Sequence, residues 1–166
     1  MDAAIVGLVG VVVGAILTAG FGLLRDRQER AHQLRAELRN ERLAAIAAFL
    51  AADDALYRAQ RSYSDYVRYY ERVERGGSPE AKAYAKATFA EIAQDKRAAD
   101  REIGLTLSRL RLVAPDIRHR AQELAESSRT FDVSGPPEQE KKRHTALRSF
   151  EAAAQRSIGV ETGDKE

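Results

Sequence analysis

The sequence predicts an all-α protein in which an N-terminal transmembrane helix continues into an elongated antiparallel three- to four-helix bundle. Three observations carry this expectation. An uncharged apolar run occupies Ala3–Leu24, no Pro or Gly interrupts Arg25–Arg75, and the apolar residues beyond recur at alternating steps of three and four.

The apolar run reads AAIVGLVGVVVGAILTAGFGLL and is bounded by Asp2 and Arg25. As a helix it would be roughly 33 Å long, against a hydrocarbon thickness of ~30 Å. A cleaved signal peptide fits less well. Only Met1 and Asp2 precede the run, so no positive segment leads it, and such apolar cores usually hold ~7–15 residues. Residues 1–24 are therefore read as a span in contact with the lipid bilayer. Arg25, Arg27, Arg30, Arg35, Arg39 and Arg42 all follow it and no Lys or Arg precedes it. Because positive flanks resist translocation, the expected placement is a single pass through the cell membrane, N-terminus outside and C-terminal body cytoplasmic.

Inside the run, Gly10, Gly14, Thr18 and Gly22 recur every four residues and line one side of a helix. Lipid offers no water-driven attraction between helices, so small residues that let backbones approach are the usual source of association. These four are the expected self-association face of the span, although Gly and Ala are common in spans and can form such rows by chance.

Residues 25–42 follow as a charged juxtamembrane helix whose large apolar residues are Leu34 and Leu38. This stretch reads as a solvated stalk or as a pairing segment for another copy. Its six Arg are interleaved with Asp26, Glu29, Glu37 and Glu41, short of the uninterrupted basic clusters that recognise specific lipids.

Residues 43–157 read as the helical bundle. Ile46, Phe49, Asp53, Leu56, Gln60, Tyr63, Val67 and Tyr70 trace a seam along the first helix. Its polar members, Asp53 and Gln60, are expected at the seam's edge, the alternative being buried positions that fix register. Gly76-Gly77-Ser78-Pro79 breaks the helix, with Ser78 as cap and Pro79 as first residue of the next. That second helix carries Ala85, Phe89, Ile92, Lys96, Ala99, Ile103, Thr106, Leu110 and Val113. After Pro115 a third segment shows Ile117, Ala121 and Leu124 on one face. The second and third segments are expected to return along the first, and a fourth, from about Pro137 to Arg156, to run outward again. A loop at 129–137 separates them, and residues 158–166 read as a disordered tail.

Charge and composition exclude more than they assign. The chain is +2 overall, whereas nucleic-acid binders concentrate positive charge far more. It contains no Cys, which removes thiol chemistry, disulfides and Cys-based metal sites. Glu29-x-x-His32 has the spacing found in di-iron bundles, but those need two such motifs and further carboxylates facing a core. Asp116-x-x-His119 and Glu140-x-x-x-His144 read as surface charge pairs. No phosphate-binding glycine loop or nucleophile elbow is present. No catalytic residue, metal or cofactor is assigned, and an enzyme is not expected.

The densest unusual feature is Tyr57, Tyr63, Tyr66, Tyr69 and Tyr70 interleaved with Arg58, Arg61, Arg68, Arg72 and Arg75, with Tyr84 beyond the turn. Tyr and Arg dominate binding hot spots because each joins a large contact area to a polar tip. Tyr63, Tyr70 and Tyr84 are expected to close the hairpin as packing residues. Tyr66, Tyr69, Arg68 and Arg72 are the expected partner-binding residues, for a protein not identified by the sequence.

In layout, VVGAILTAGFGLLRDRQER followed by NERLAAIAAFLAADDALYRA and RLRLVAPDIRHRAQELA resembles the KilB-like small single-pass membrane proteins associated with conjugative plasmid transfer in filamentous high-GC bacteria. The resemblance implies a membrane-localised helical accessory protein that aids plasmid or mobile-element transfer, and it carries over no site residues. The function expected is thus that of a membrane-anchored cytoplasmic adaptor. The alternative is a membrane-tethered nucleic-acid-binding accessory protein of DNA transfer.

Overall fold

The computed structural model describes the backbone of residues 2–159 and the side chains of residues 29, 30 and 32–159. The side chains of the apolar run, with its Gly10, Gly14, Thr18 and Gly22 row, lie outside these, as do residues 160–166. Among the described residues no helix is long and apolar enough to cross a membrane.

The protein is all-α. Among the described residues four helices follow in order, α1 (Asp2–Gly76), α2 (Pro79–Val113), α3 (Arg118–Arg129) and α4 (Glu138–Ser157), with a 3-10 turn at Pro115–Ile117 before α3. The chain divides into two compact units, Met1–Asn40 and Glu41–Glu166. In the first, every described side chain is exposed, Leu34 and Leu38 included. The second holds the core.

Local chemistry sets the helix limits. Ser78 Oγ accepts from Ala81 N–H at 3.2 Å, satisfying one of the donors that a helix start leaves free, and Pro79 follows at the first position. Gly77 closes α1 because a Cβ there would meet the Val73 carbonyl oxygen at 2.6 Å. At the far end of α2, Pro115 has no N–H to continue the helix and forces its predecessor out of the helical region. Ala114 is accordingly extended, at φ −143° and ψ 65°.

Pairings across the helices fix the topology of the second unit. Tyr70 stacks on Phe89, the Tyr63 ring meets Phe89 at a tilt, and Lys96 lies 4.5 Å over Tyr63, so α1 and α2 form an antiparallel hairpin. Asp53 meets Ser128 and Tyr57 meets Phe131, so α3 runs parallel to α1. Arg42, Phe49 and Asp53 meet Ser157, Phe150 and Arg143, so α4 is antiparallel to α1. This corrects the expected course, in which the third segment returned and the fourth ran outward. The extended Ala114 reverses the chain, so α3 runs back along α2, where Arg129 pairs with Asp100 at 2.8 Å.

The core collects Phe49, Leu56, Ile103, Leu110, Ile117, Leu124 and Phe150, all almost fully buried. Asp53 and Gln60 are buried among them rather than set at an edge, because α3 and α4 together cover that side of α1. Ile92 is only half-buried. Beyond Gln60 the hairpin continues as a pair of helices, with Ala85 as its one fully enclosed residue. Ile158, read as part of the tail, packs on the core.

Candidate functional site

Two arrangements stand out, one buried and one exposed. In the interior, the Asp53 carboxylate accepts from Ser128 Oγ at 2.8 Å and from Arg143 Nη2 at 3.0 Å, while Arg143 Nε donates to Ser128 Oγ at 3.1 Å. The Arg143 guanidinium also lies 3.8 Å from the centroid of the Tyr57 ring. Tyr57 in turn meets Phe131 edge-on at 4.7 Å. Burial pushes the Asp53 carboxyl above its ordinary range, against the opposite pull of the Ser128 hydrogen bond and of Arg143. The group is enclosed, with Asp53 1% exposed. It knits α1, α3 and α4 together rather than presenting a reactive group to a substrate.

The loop from α3 to α4 is anchored beside this cluster. Gln60 Nε2 donates to the Phe131 carbonyl at 2.9 Å, while Gln60 Oε1 is buried with no hydrogen-bond partner among the described residues. Asp132 accepts from the Ser134 backbone and hydroxyl, which hold its carboxyl below the usual carboxylate range. These ties place Phe131 in the interior, although its surrounding Asp, Ser, Gly and Pro residues read as solvated loop.

The exposed arrangement is aromatic. Tyr66 is half-buried, with its ring 5.2 Å from that of Tyr69 and 6.4 Å from that of Phe89, and its hydroxyl donates to the Ala85 carbonyl at 3.4 Å. Tyr69 is 43% exposed and Tyr84, next to Ala85, is 70% exposed. Two expectations change here. Tyr66 is part of the helix pair rather than clear of it, and Tyr84 is a surface residue rather than packing, because its neighbour Ala85 takes the inward position.

The four residues singled out from sequence do not converge. Tyr66 packs against α2, and the Tyr69 ring lies beside it. Arg68 faces the α3–α4 loop, 3.7 Å from Asp132, and with Arg72 lines a shallow depression that also holds Glu71 and Arg75. Much of the Arg content here is paired, Arg58 with Asp54 and Arg75 with Glu71. The basic field is broken up as the interleaved acids suggested.

No family model, curated protein or solved structure matches the chain. Its surfaces therefore have to be read from their own chemistry. Among the described residues no group of three or more His, Asp or Glu comes together in a way that could hold a metal ion. His119 is exposed and pairs with Glu123 at 3.3 Å, rather than with Asp116 as its spacing suggested. The signal for Tyr84 was present in the sequence, since it falls one position before Ala85 and so about 100° off the α2 seam.

Proposed function

We propose that this chain is a membrane-anchored helical interaction protein, an adaptor or accessory factor whose body faces the cytoplasm and captures a protein partner at its hairpin end. The observation that carries the reading is Tyr66, held in place by Phe89 and Ala85 with the exposed Tyr69 ring beside it, and exposed Tyr84 adjacent in sequence to Ala85. Fixed rings with exposed edges offer contact area at small ordering cost. The Ala3–Leu24 run supports the anchor, and the Arg-rich flank after it supports the orientation. The row of Gly10, Gly14, Thr18 and Gly22 supports association between spans. A task in plasmid or mobile-element transfer rests on the layout resemblance to KilB-like proteins.

Crosslinking of the full chain in its native membrane tests this reading. A Tyr69→Ala, Tyr84→Ala variant is expected to keep its helicity and melting profile and to lose its crosslinked partner. Retention of every partner would overturn the proposed face. Orientation is read separately in this Cys-free chain from single Cys residues placed at Ala3 and Gln155. An impermeant thiol reagent on intact cells should label the first, and labelling of only the second would reverse the topology.

A further inference from the structure

Opposite its core-facing residues, α2 carries Leu105 and Leu112 at 67% and 82% exposure. They stand seven residues apart, with exposed Ala98 seven before Leu105, while Arg101 and Ser108 occupy the alternate positions of the same heptad. Tyr84 falls on this line too, but over the intervening heptads a straight helix drifts by about 20° each, which carries Tyr84 round to the hairpin-end face. What remains is a two-heptad seam along an unbroken helix, facing away from the rest of its unit.

Among the described residues Arg97, Arg101 and Glu102 have no ion-pair partner. Arg97 and Arg101 lie one turn apart, a like-charge spacing that is unfavourable on an isolated helix. Gly104 interrupts the same stretch, although a Cβ there would meet nothing within 4 Å. Nothing in its own chain requires glycine at this helix-interior position, where glycine is disfavoured against alanine.

We infer that this seam docks a second copy of the chain lying parallel to the first. In parallel paired helices, the residue before one seam position faces the residue five further on in the neighbour. Arg97 then faces Glu102 of the second copy, and the relation repeats by symmetry. Arg101, at the alternate seam position, meets its own copy, and the two Glu102 carboxylates lie beside that pair, while bare backbone at Gly104 admits close approach. The inference rests on the membrane anchor proposed above, which confines both copies to one bilayer. It also explains how so small a seam suffices. Two leucines and an alanine per chain fall below what a stable free dimer buries, and confinement to one bilayer supplies the effective concentration.

The test uses the full chain reconstituted in phosphatidylcholine vesicles, with single Cys residues at Leu105, Leu112 or, on the exposed face of α4, Gln155. Under mild oxidation the first two are expected to form disulfide-linked dimers several-fold faster than the third, and equal rates would overturn the seam. Glu102→Arg should slow dimerisation at position 105, and adding Arg97→Glu should restore it. Failure of that restoration would overturn the parallel register. An adduct at 105 in native membranes with a mass other than twice the chain would overturn the second copy as occupant. Alkaline carbonate extraction of the same vesicles reports the anchor separately, since release of the chain defeats the anchoring reading whatever the crosslinking rates.

Discussion

Arg143 Nη2 of α4 lies 3.0 Å from Asp53 Oδ2 of α1, a contact that joins residues 90 positions apart and leaves the Arg143 side chain only 11% exposed. Two charges removed from water attract strongly but lose their hydration, and at Asp53 burial raises the carboxyl against the pull of Ser128 and Arg143.

The pH dependence follows from that direction. A carboxyl whose folded pKa is raised contributes stability below its unfolded value, and loses that contribution as pH rises through the folded value. Arg143→Met removes a group that holds the carboxyl down, so the variant should be destabilised by about 3–5 kcal/mol at pH 7. Below about pH 4, where Asp53 is protonated in both states, most of that deficit should vanish. Urea denaturation at the two pH values measures it. Asp53→Leu combined with Arg143→Met should recover the loss at pH 7, because an apolar pair of similar bulk has no hydration to lose.

Substitution along α2 should separate core from edge. Ile103 is fully enclosed, so Ile103→Asp places an unpaired charge in the core and is expected to abolish cooperative unfolding in a circular dichroism melt, a cost of several kcal/mol. Ile92 is half-buried in the two-helix part of the hairpin, and Ile92→Asp should lower the melting temperature while leaving a folded protein.

How far these features could be read in advance depends on the distance over which they are encoded. The Ser78 cap, the Gly77 turn and the break at Pro115 are local, set by residues within one turn of helix, and all were legible. Seam spacing also identified the inward residues Phe49, Leu56, Ile103 and Leu110. It says nothing about which neighbour each face meets. The course of α3 and α4 hinges on the reversal at Ala114, and the burial of Asp53 on an arginine far along the chain. Tyr66 was misplaced for a related reason. Its packing comes from Ala85 and Phe89, across a turn whose register decides which flanking ring is covered.

Glycine replacements in the α1–α2 turn and within α2 should have opposite signs. Gly104→Ala adds a methyl into open space and removes a helix-interior glycine, so the monomer in detergent should gain about 0.5–1 kcal/mol. Gly77→Ala drives its Cβ onto the Val73 carbonyl and should lower stability and loosen the turn. Parallel thermal melts measure both.

Loss of the α2 cap offers a calibrated perturbation of the hairpin end. Ser78→Ala removes the acceptor for Ala81 N–H and should cost about 1 kcal/mol, read as a shift in denaturation midpoint with an unchanged slope. Ser78→Gly should cost only a few tenths of that unit.

The extension of the hairpin past Gln60 has a consequence for amide hydrogen exchange. Around Phe49, Leu56, Ile103 and Leu110, four helices enclose the backbone, and those amides should exchange only through global unfolding. Towards Gly76, with one helix partner and few enclosed side chains, opening should occur locally and protection should fall residue by residue. The tyrosine face therefore sits on the segment that breathes most readily. A ligand clamped across Tyr69 and Tyr84 would quiet that breathing, so its footprint would be written as slowed exchange on both arms of the hairpin, including amides it never touches.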